Sequence, residues 1–265
     1  MTADERRQRV IEFLAQRGFV ELSALMQEVG VSESTVRRDL MQLEAEGIVR
    51  RTHGGAVFVS DRFSALSFAA RESAQQQEKM AIGRAAAALI EDEETVLLDG
   101  GTTTFQIARN LAGRRLQVVT NSLPIANLLG SDAAMEVIFV GGYIYPRTGV
   151  ALGPLTTQML ANVHVNKAFI SLAGMNEAGL FNHNVLMVEA ERRMMQCADE
   201  VIVVADHTKF GKRALAQLGT WDEIDRVVTD EGLDASWHST LERAGVTLVL
   251  APVEASVRRV VEESV

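Results

Sequence analysis

Apolar and polar positions follow two different rhythms along this chain, and the rhythm changes near residue 60. Val10, Ile11 and Leu14 share one helical face, and Gly18 ends the helix they predict. Leu22, Leu25, Met26 and Val29 repeat at three- and four-residue spacing as far as Gly30. Ser32 suits the cap of a third helix, with Glu33 in its first turn, where the helix dipole favours an acid. Val36, Leu40 and Leu43 form that helix's core face, and Gly47 fits the left-handed position after its end. Residues 48–51 and 56–59 then read as a hairpin with Gly54 and Gly55 at its tip.

The second rhythm begins after a polar stretch. Residues 59–77 read as a linker between a head at 1–58 and a larger domain at 78–265. Short apolar runs recur at 95–98, 117–120, 137–140, 168–172, 201–205, 226–229 and 246–250. Helical stretches at 80–90, 104–111, 188–198 and 235–244 separate most of them. Strands alternating with helices predict an α/β fold with a mostly parallel sheet covered on both faces.

Composition narrows the class. With 47% hydrophobic and 23% charged residues, the chain can bury a core. Its 35 acidic against 26 basic residues, net −9, exclude a protein coated in positive charge, so any nucleic-acid contact needs a local patch. No apolar run approaches the ~18–20 residues that span a bilayer, and residues 1–10 lack the apolar core of a signal peptide. One cysteine, Cys197, cannot build an internal disulfide or a multi-thiolate metal site. The histidines have no metal-ligand spacing. The expectation is a cytoplasmic protein with no metal, cofactor or membrane partner.

Two constellations carry chemistry. The outer face of the third helix presents Ser34, Thr35, Arg37 and Arg38, the hydroxyls and guanidinium groups that reach base edges and phosphates in a major groove. Arg50, Arg51 and His53 follow on the hairpin beside Gly54. An Arg–Arg pair alone is usually a solvated face. A helix, glycine turn, capped Arg-bearing helix and basic hairpin in succession are more specific. The first 58 residues hold eight arginines and no lysine against nine acids, so attraction to DNA must come from arginines gathered on one face.

The second constellation is TVLLDGGTTT, residues 95–104: an apolar run, two glycines, three threonines and a helix. Glycines let backbone approach an anion, and amides at a helix start point towards it. The spacing is neither a Walker A loop nor a dinucleotide fingerprint. A tight strand-to-helix turn with capping threonines is the plainer reading. The loops at 120–122, 141–142 and 206–211 also follow apolar runs and so fall at strand ends, where ligands of open parallel sheets bind.

At this point a resemblance enters. SESTVRRDL (residues 32–40) followed by LEAEGIVRRTHGGAV (43–57) resembles the winged helix-turn-helix start of the DeoR family of bacterial transcription regulators. EKMAIGRAAA (78–87), VVADHTKFG and IDRVVTD (224–230) are similar to that family's effector domain, whose fold resembles ribose-5-phosphate isomerase and coenzyme A transferases. The resemblance implies that Ser34, Thr35, Arg37 and Arg38 enter the major groove, while Arg50, Arg51, His53 and Gly54 touch the backbone. It further implies that a phosphorylated sugar binds at Asp99, Gly100, Gly101, Thr102, Thr103 and Thr104, with Asn121, Gly142 and Lys209 lining the pocket. The family places an acid and a base on the helix before Val201. Glu189, Glu191 and Arg192 are the candidates, and Glu189 is taken as the effector-binding acid. Asn166–Lys167 and Ala173 depart from the family pattern, which bears on which sugar hydroxyls are read.

The reading is a DNA-binding transcription regulator, a repressor of carbohydrate-metabolism genes, bound to double-stranded operator DNA as a homo-oligomer (dimer or tetramer) and controlled by a phosphorylated sugar or related metabolite. The alternative is a sugar-phosphate isomerase-like enzyme with an accessory DNA-binding head.

Overall fold

A computed structural model describes residues 2–17, 19–45, 48–52, 54–58 and 68–253. Contacts divide the chain into two compact units, residues 1–71 and 72–265. The first holds α1 (Ala3–Arg17), β1 (Phe19–Glu21), α2 (Leu22–Val29), α3 (Glu33–Ala45), β2 (Val49–Arg51) and β3 (Gly55–Phe58). Gly30 closes α2 in the left-handed conformation, φ +66°, as its position predicts. Val10, Leu14, Leu25, Val36, Leu40 and Leu43 are all buried in one core, so the helical stripes read from the sequence do face inward.

Two features of this unit go beyond the sequence reading. The hairpin gains a third, antiparallel strand, because β1 pairs with β3 with Val20 opposite Ala56. Close approach there requires a glycine, since a Cβ on Gly55 would sit 2.2 Å from the Val20 carbonyl oxygen. Asp39 is buried, and Arg6 of α1 grips it at 2.6 and 3.1 Å through two nitrogens, tying α1 to α3.

The stretch at 59–77 is partly helical: α4 covers Phe68–Ser73, and α5 begins at Gln76 and runs to Ala87. The second unit continues with β4 (Thr95–Leu98), α6 (Thr102–Arg109), β5 (Leu116–Thr120), α7 (Leu123–Leu129) and β6 (Met135–Phe139). A hairpin of β7 (Tyr143–Tyr145) and β8 (Val150–Leu152) precedes α8 (Pro154–Leu160) and β9 (Val165–Ile170). Then come β10 (Gly174–Asn176), β11 (Gly179–Asn182), α9 (Val185–Gln196), β12 (Ala198–Val204), β13 (Ala216–Gly219), β14 (Arg226–Asp230), α10 (Ser236–Arg243) and β15 (Thr247–Ala251).

Seven strands form one parallel sheet in the order β15-β14-β12-β9-β4-β5-β6. Alternate residues feed its two faces. Leu97, Ala168, Ile170 and Val203 join one core with residues of α9. Val96, Leu98, Phe169 and Ile202 join the other with residues of α5 and α6. Because both faces are covered, the strands read as continuous apolar runs. From β4 the chain winds outward through β5 to β6, whereas β9, β12, β14 and β15 extend the other way. The winding therefore reverses between the neighbours β4 and β9, the place where open α/β sheets leave a ligand crevice. Among the described residues no helix is long and apolar enough to cross a membrane.

Candidate functional site

The crevice at the reversal is built by the turn after β4. Asp99, 2% exposed, accepts from the Gly101 amide at 3.0 Å, the Thr104 hydroxyl at 2.9 Å and the Ser171 amide at 2.9 Å. Ser171 follows β9, and its hydroxyl also lies 3.1 Å from both Asp99 oxygens, so this one carboxylate joins the two strand ends. Thr104 points inward, its hydroxyl within 2.9 Å of the Asp99 and Gly101 carbonyl oxygens. Asp99 and Thr104 thus hold the turn in shape. The glycines are demanded by packing: a Cβ on Gly100 would lie 1.8 Å from Val150, and one on Gly101 would lie 1.8 Å from the Ser171 hydroxyl. Thr102, Thr103 and Thr104 are buried and open α6, so their amides have no carbonyl partner within the helix.

A small crevice of about 10 Å³, room for about one water molecule, lies beside this turn, lined in part by Asp99, Gly100, Asn121, Val150, Leu152 and Glu191. Asn121 follows β5 and donates its side-chain N–H to Ala151 at 2.9 Å, which fastens the β7–β8 hairpin over the site. Glu191 comes from α9, where Asn184 caps the helix by accepting from Leu186 and Met187. Glu191 is 4% exposed, and one of its oxygens accepts from Asn182 at 2.7 Å. Its Oε2 and the Asn121 Oδ1 are buried acceptors that no protein donor reaches. None of the residues lining this cavity is Lys, Arg or His.

Several sequence expectations change here. Glu189 lies exposed on α9 and does not line the cavity; the acid that does is Glu191. The signal was present in the sequence: Val188, Glu191 and Met195 share one helical stripe, and an acid within an apolar stripe marks a buried role. Arg192 is engaged elsewhere, donating to the Leu218 and Gln217 carbonyls of β13. Gly142 packs tightly at φ +153°, and a Cβ there would sit 2.1 Å from the Thr156 hydroxyl, so its part is to start the hairpin. Lys209 lies half-buried in a short turn after β12 and is not among the residues lining the cavity. The departure at Asn166–Lys167 is remote from the crevice. Asn166 accepts from Thr95 and Lys167 pairs with Glu94, both at the opposite end of the strands.

Burial raises Asp99 to about 6, and burial together with repulsion from Asp99 raises Glu191 well above the ordinary carboxyl value. The folded state thus binds more protons than the unfolded chain above about pH 4. The stability these groups contribute is fully present below their unfolded values and is lost as pH rises through the raised ones. Glu191→Gln removes one charge and keeps an oxygen for Asn182. Its Tm relative to wild type should rise by at least about 3 °C between about pH 5 and pH 8. Parallel melts of the two proteins check this; a constant difference would refute a buried, charge-penalised Glu191.

In the first unit, α3 exposes Ser34, Arg37 and Arg38 and leaves Thr35 half-buried. Ser32 places its hydroxyl 3.0 Å from those of Ser34 and Thr35. Arg37 pairs with Glu33 one turn back at 2.7 Å. Arg51 bonds Glu44 of α3 at 2.5 Å, while the Glu44 carboxylate also accepts from the Arg51 amide at 2.8 Å, so helix and hairpin are clamped together. A groove between them is lined by Arg37, Glu44, Arg51 and Thr52. Gly54 is exposed at the tip. The Arg50 side chain and all of His53 lie outside the described residues.

Comparison with known proteins settles the family. Residues 6–62 match the DeoR-like helix-turn-helix domain, and residues 74–231 match the DeoR C terminal sensor domain. The chain belongs to the DeoR family of transcription regulators. A DeoR-family relative in Bacillus subtilis (strain 168), the uncharacterized HTH-type transcriptional regulator YulB, is 33% identical over 96% of this chain and 98% of its own. The putative aga operon transcriptional repressor of Escherichia coli O157:H7 is 33% identical over 93% of each chain. The HTH-type transcriptional repressor GlcR of Bacillus subtilis (strain 168) is 32% identical over 94% of this chain and 97% of its own. Among solved structures, ribose 5-phosphate isomerase A from Methanocaldococcus jannaschii aligns over 52% of this chain and 55% of its own, at 17% identity and a TM-score of 0.38. That score is too low to bear on function. This DeoR-family chain is a DNA-binding regulator and not an isomerase.

Proposed function

We propose that this chain is a cytoplasmic repressor of carbohydrate-metabolism genes whose grip on operator DNA is set by a phosphorylated sugar. The single observation that carries this reading is the buried, glycine-shaped start of α6 at the sheet's reversal point, in a chain that also bears a helix-turn-helix head. Amides at a helix start favour an anion, and a buried start needs a partner for them. The phosphate is assigned to the amides of Thr102, Thr103 and Thr104, and the sugar to the side of the crevice beside them, which widens to admit it. In the head, Ser34, Thr35, Arg37 and Arg38 are assigned to the major groove, and Arg50, Arg51, His53 and Gly54 to the backbone. One short helix binds weakly, so the active form is a homo-oligomer whose heads meet half-sites about 34 Å apart or at multiples of that.

The relatives named above include repressors, one of them tied to an operon by its name, which supports the direction of control. A sugar phosphate changes operator affinity only by as much as it prefers one state of the protein over another. The test is a DNA-affinity titration on a duplex selected by the protein, with and without a panel of phosphorylated sugars. At least one member should change affinity by about fivefold or more. No change with any of them would reduce the protein to a constitutive DNA binder.

A further inference from the structure

The deep end of the cavity has a chemistry that a phosphate does not fit. Two carboxyl groups, Asp99 and Glu191, line it together with Asn121, and among the described residues that line it none is Lys, Arg or His. Asp99 is saturated by Gly101, Thr104 and Ser171. Glu191 is not: Asn182 serves one oxygen, and Oε2 is buried without a donor. Asn121 commits its N–H to Ala151, which leaves Oδ1 as a second buried acceptor without a donor. The Asn121 oxygen wants a proton donor, and the Glu191 Oε2 wants one whenever that carboxyl is ionised. Phosphate oxygens carry negative charge and are repelled by the two carboxyl groups once either is ionised. A hydroxyl donates a single hydrogen and carries no charge with which to stabilise an ionised Glu191. An ammonium group offers three donors and a positive charge at once. Burial and Asp99 favour the protonated Glu191 in the empty site; an ammonium entering beside it makes the ionised, paired form the favourable one, which a hydroxyl cannot do.

We propose that Glu191 and Asn121, backed by Asp99, form a subsite for a protonated amine, so that the effector of this chain is an amino sugar phosphate. The proposal rests on the effector reading above and names the class of ligand within it. The phosphate stays at the start of α6, and the amine enters the acidic end.

The test is calorimetric titration of the full chain near neutral pH with three matched sets. These are the 6-phosphates of glucosamine, galactosamine and mannosamine, each beside its 2-hydroxy hexose and its N-acetylated form. At least one amine should bind about tenfold or more tighter than its hydroxy and N-acetyl counterparts, as expected for a desolvated charge pair. Glu191→Gln should erase that preference, so that amine, hydroxyl and acetamide forms bind within about twofold of one another. Should Glu191→Gln fail to fold, the comparison of amine, hydroxyl and acetamide on the wild-type protein decides alone. Binding in which no amine exceeds its hydroxy hexose phosphate would overturn the amine subsite and leave the sugar-phosphate reading standing. Binding of none of the nine compounds would overturn both.

Discussion

Arg38→Ala is expected to weaken binding to duplex DNA by about 1–3 kcal/mol, roughly 5- to 150-fold, while the protein stays folded. Arg38 is exposed on α3, on the side opposite the buried Val36, Leu40 and Leu43, so truncation removes no core contact. Arg37 shares that surface but starts from a different state. Its guanidinium already pairs with Glu33, and reaching DNA means exchanging one carboxylate partner for another. Arg37→Ala should therefore cost less than Arg38→Ala. If Arg38 meets a phosphate, the slope of log affinity against log salt should also fall by about one. Anisotropy titrations at three salt concentrations measure both quantities. Unchanged affinity in Arg38→Ala would mean that α3 does not present this face to DNA.

The second large effect belongs to the larger unit. Gly101→Ala should destabilise it by about 3 kcal/mol, lowering Tm by roughly 6–12 °C, and abolish any response to sugar phosphate. A Cβ at this position would lie 1.8 Å from the Ser171 hydroxyl and 2.5 Å from its Cβ, so Ser171 must move. That movement breaks the bonds from Ser171 to Asp99, which hold the ends of β4 and β9 together. The head has its own core, and its DNA affinity should change little. Thermal melts and DNA titrations of the variant measure the two consequences separately. A stable variant with a normal response would show that this turn is not the control point.

Much of the architecture was legible in the residues. All seven strands of the large sheet fall on the apolar runs, because a strand covered on both faces has no polar alternation to obscure it. The stripe of Val36, Leu40 and Leu43 located α3 for the opposite reason: a helix with one wet face shows its period. The short strands β1, β7, β8, β10, β11 and β13 were missed, since three or four residues carry too little pattern to distinguish a strand from a loop. Among the residues lining the crevice, Asp99 and Asn121 directly follow β4 and β5, places that the apolar runs at 95–98 and 117–120 mark. Glu189 was chosen over Glu191 because two acids two residues apart point to opposite sides of a helix, and only the packing of α9 on the sheet decides which is buried. The ion pairs of Arg6 with Asp39 and of Arg51 with Glu44 join residues on different elements, so spacing along the chain could not reveal them.

The central claim is that one metabolite site and one DNA-binding surface are thermodynamically linked, and such linkage is reciprocal. The most direct measurement is therefore the affinity of the most effective sugar phosphate for the protein, free and saturated with selected duplex DNA. It is compared with the DNA affinity measured with and without that sugar phosphate. The predicted result is one common factor, the ligand changing DNA affinity as many-fold, and in the same direction, as DNA changes ligand affinity, with the coupling absent in Gly101→Ala. Ligand affinity that is the same on free and DNA-bound protein would contradict it.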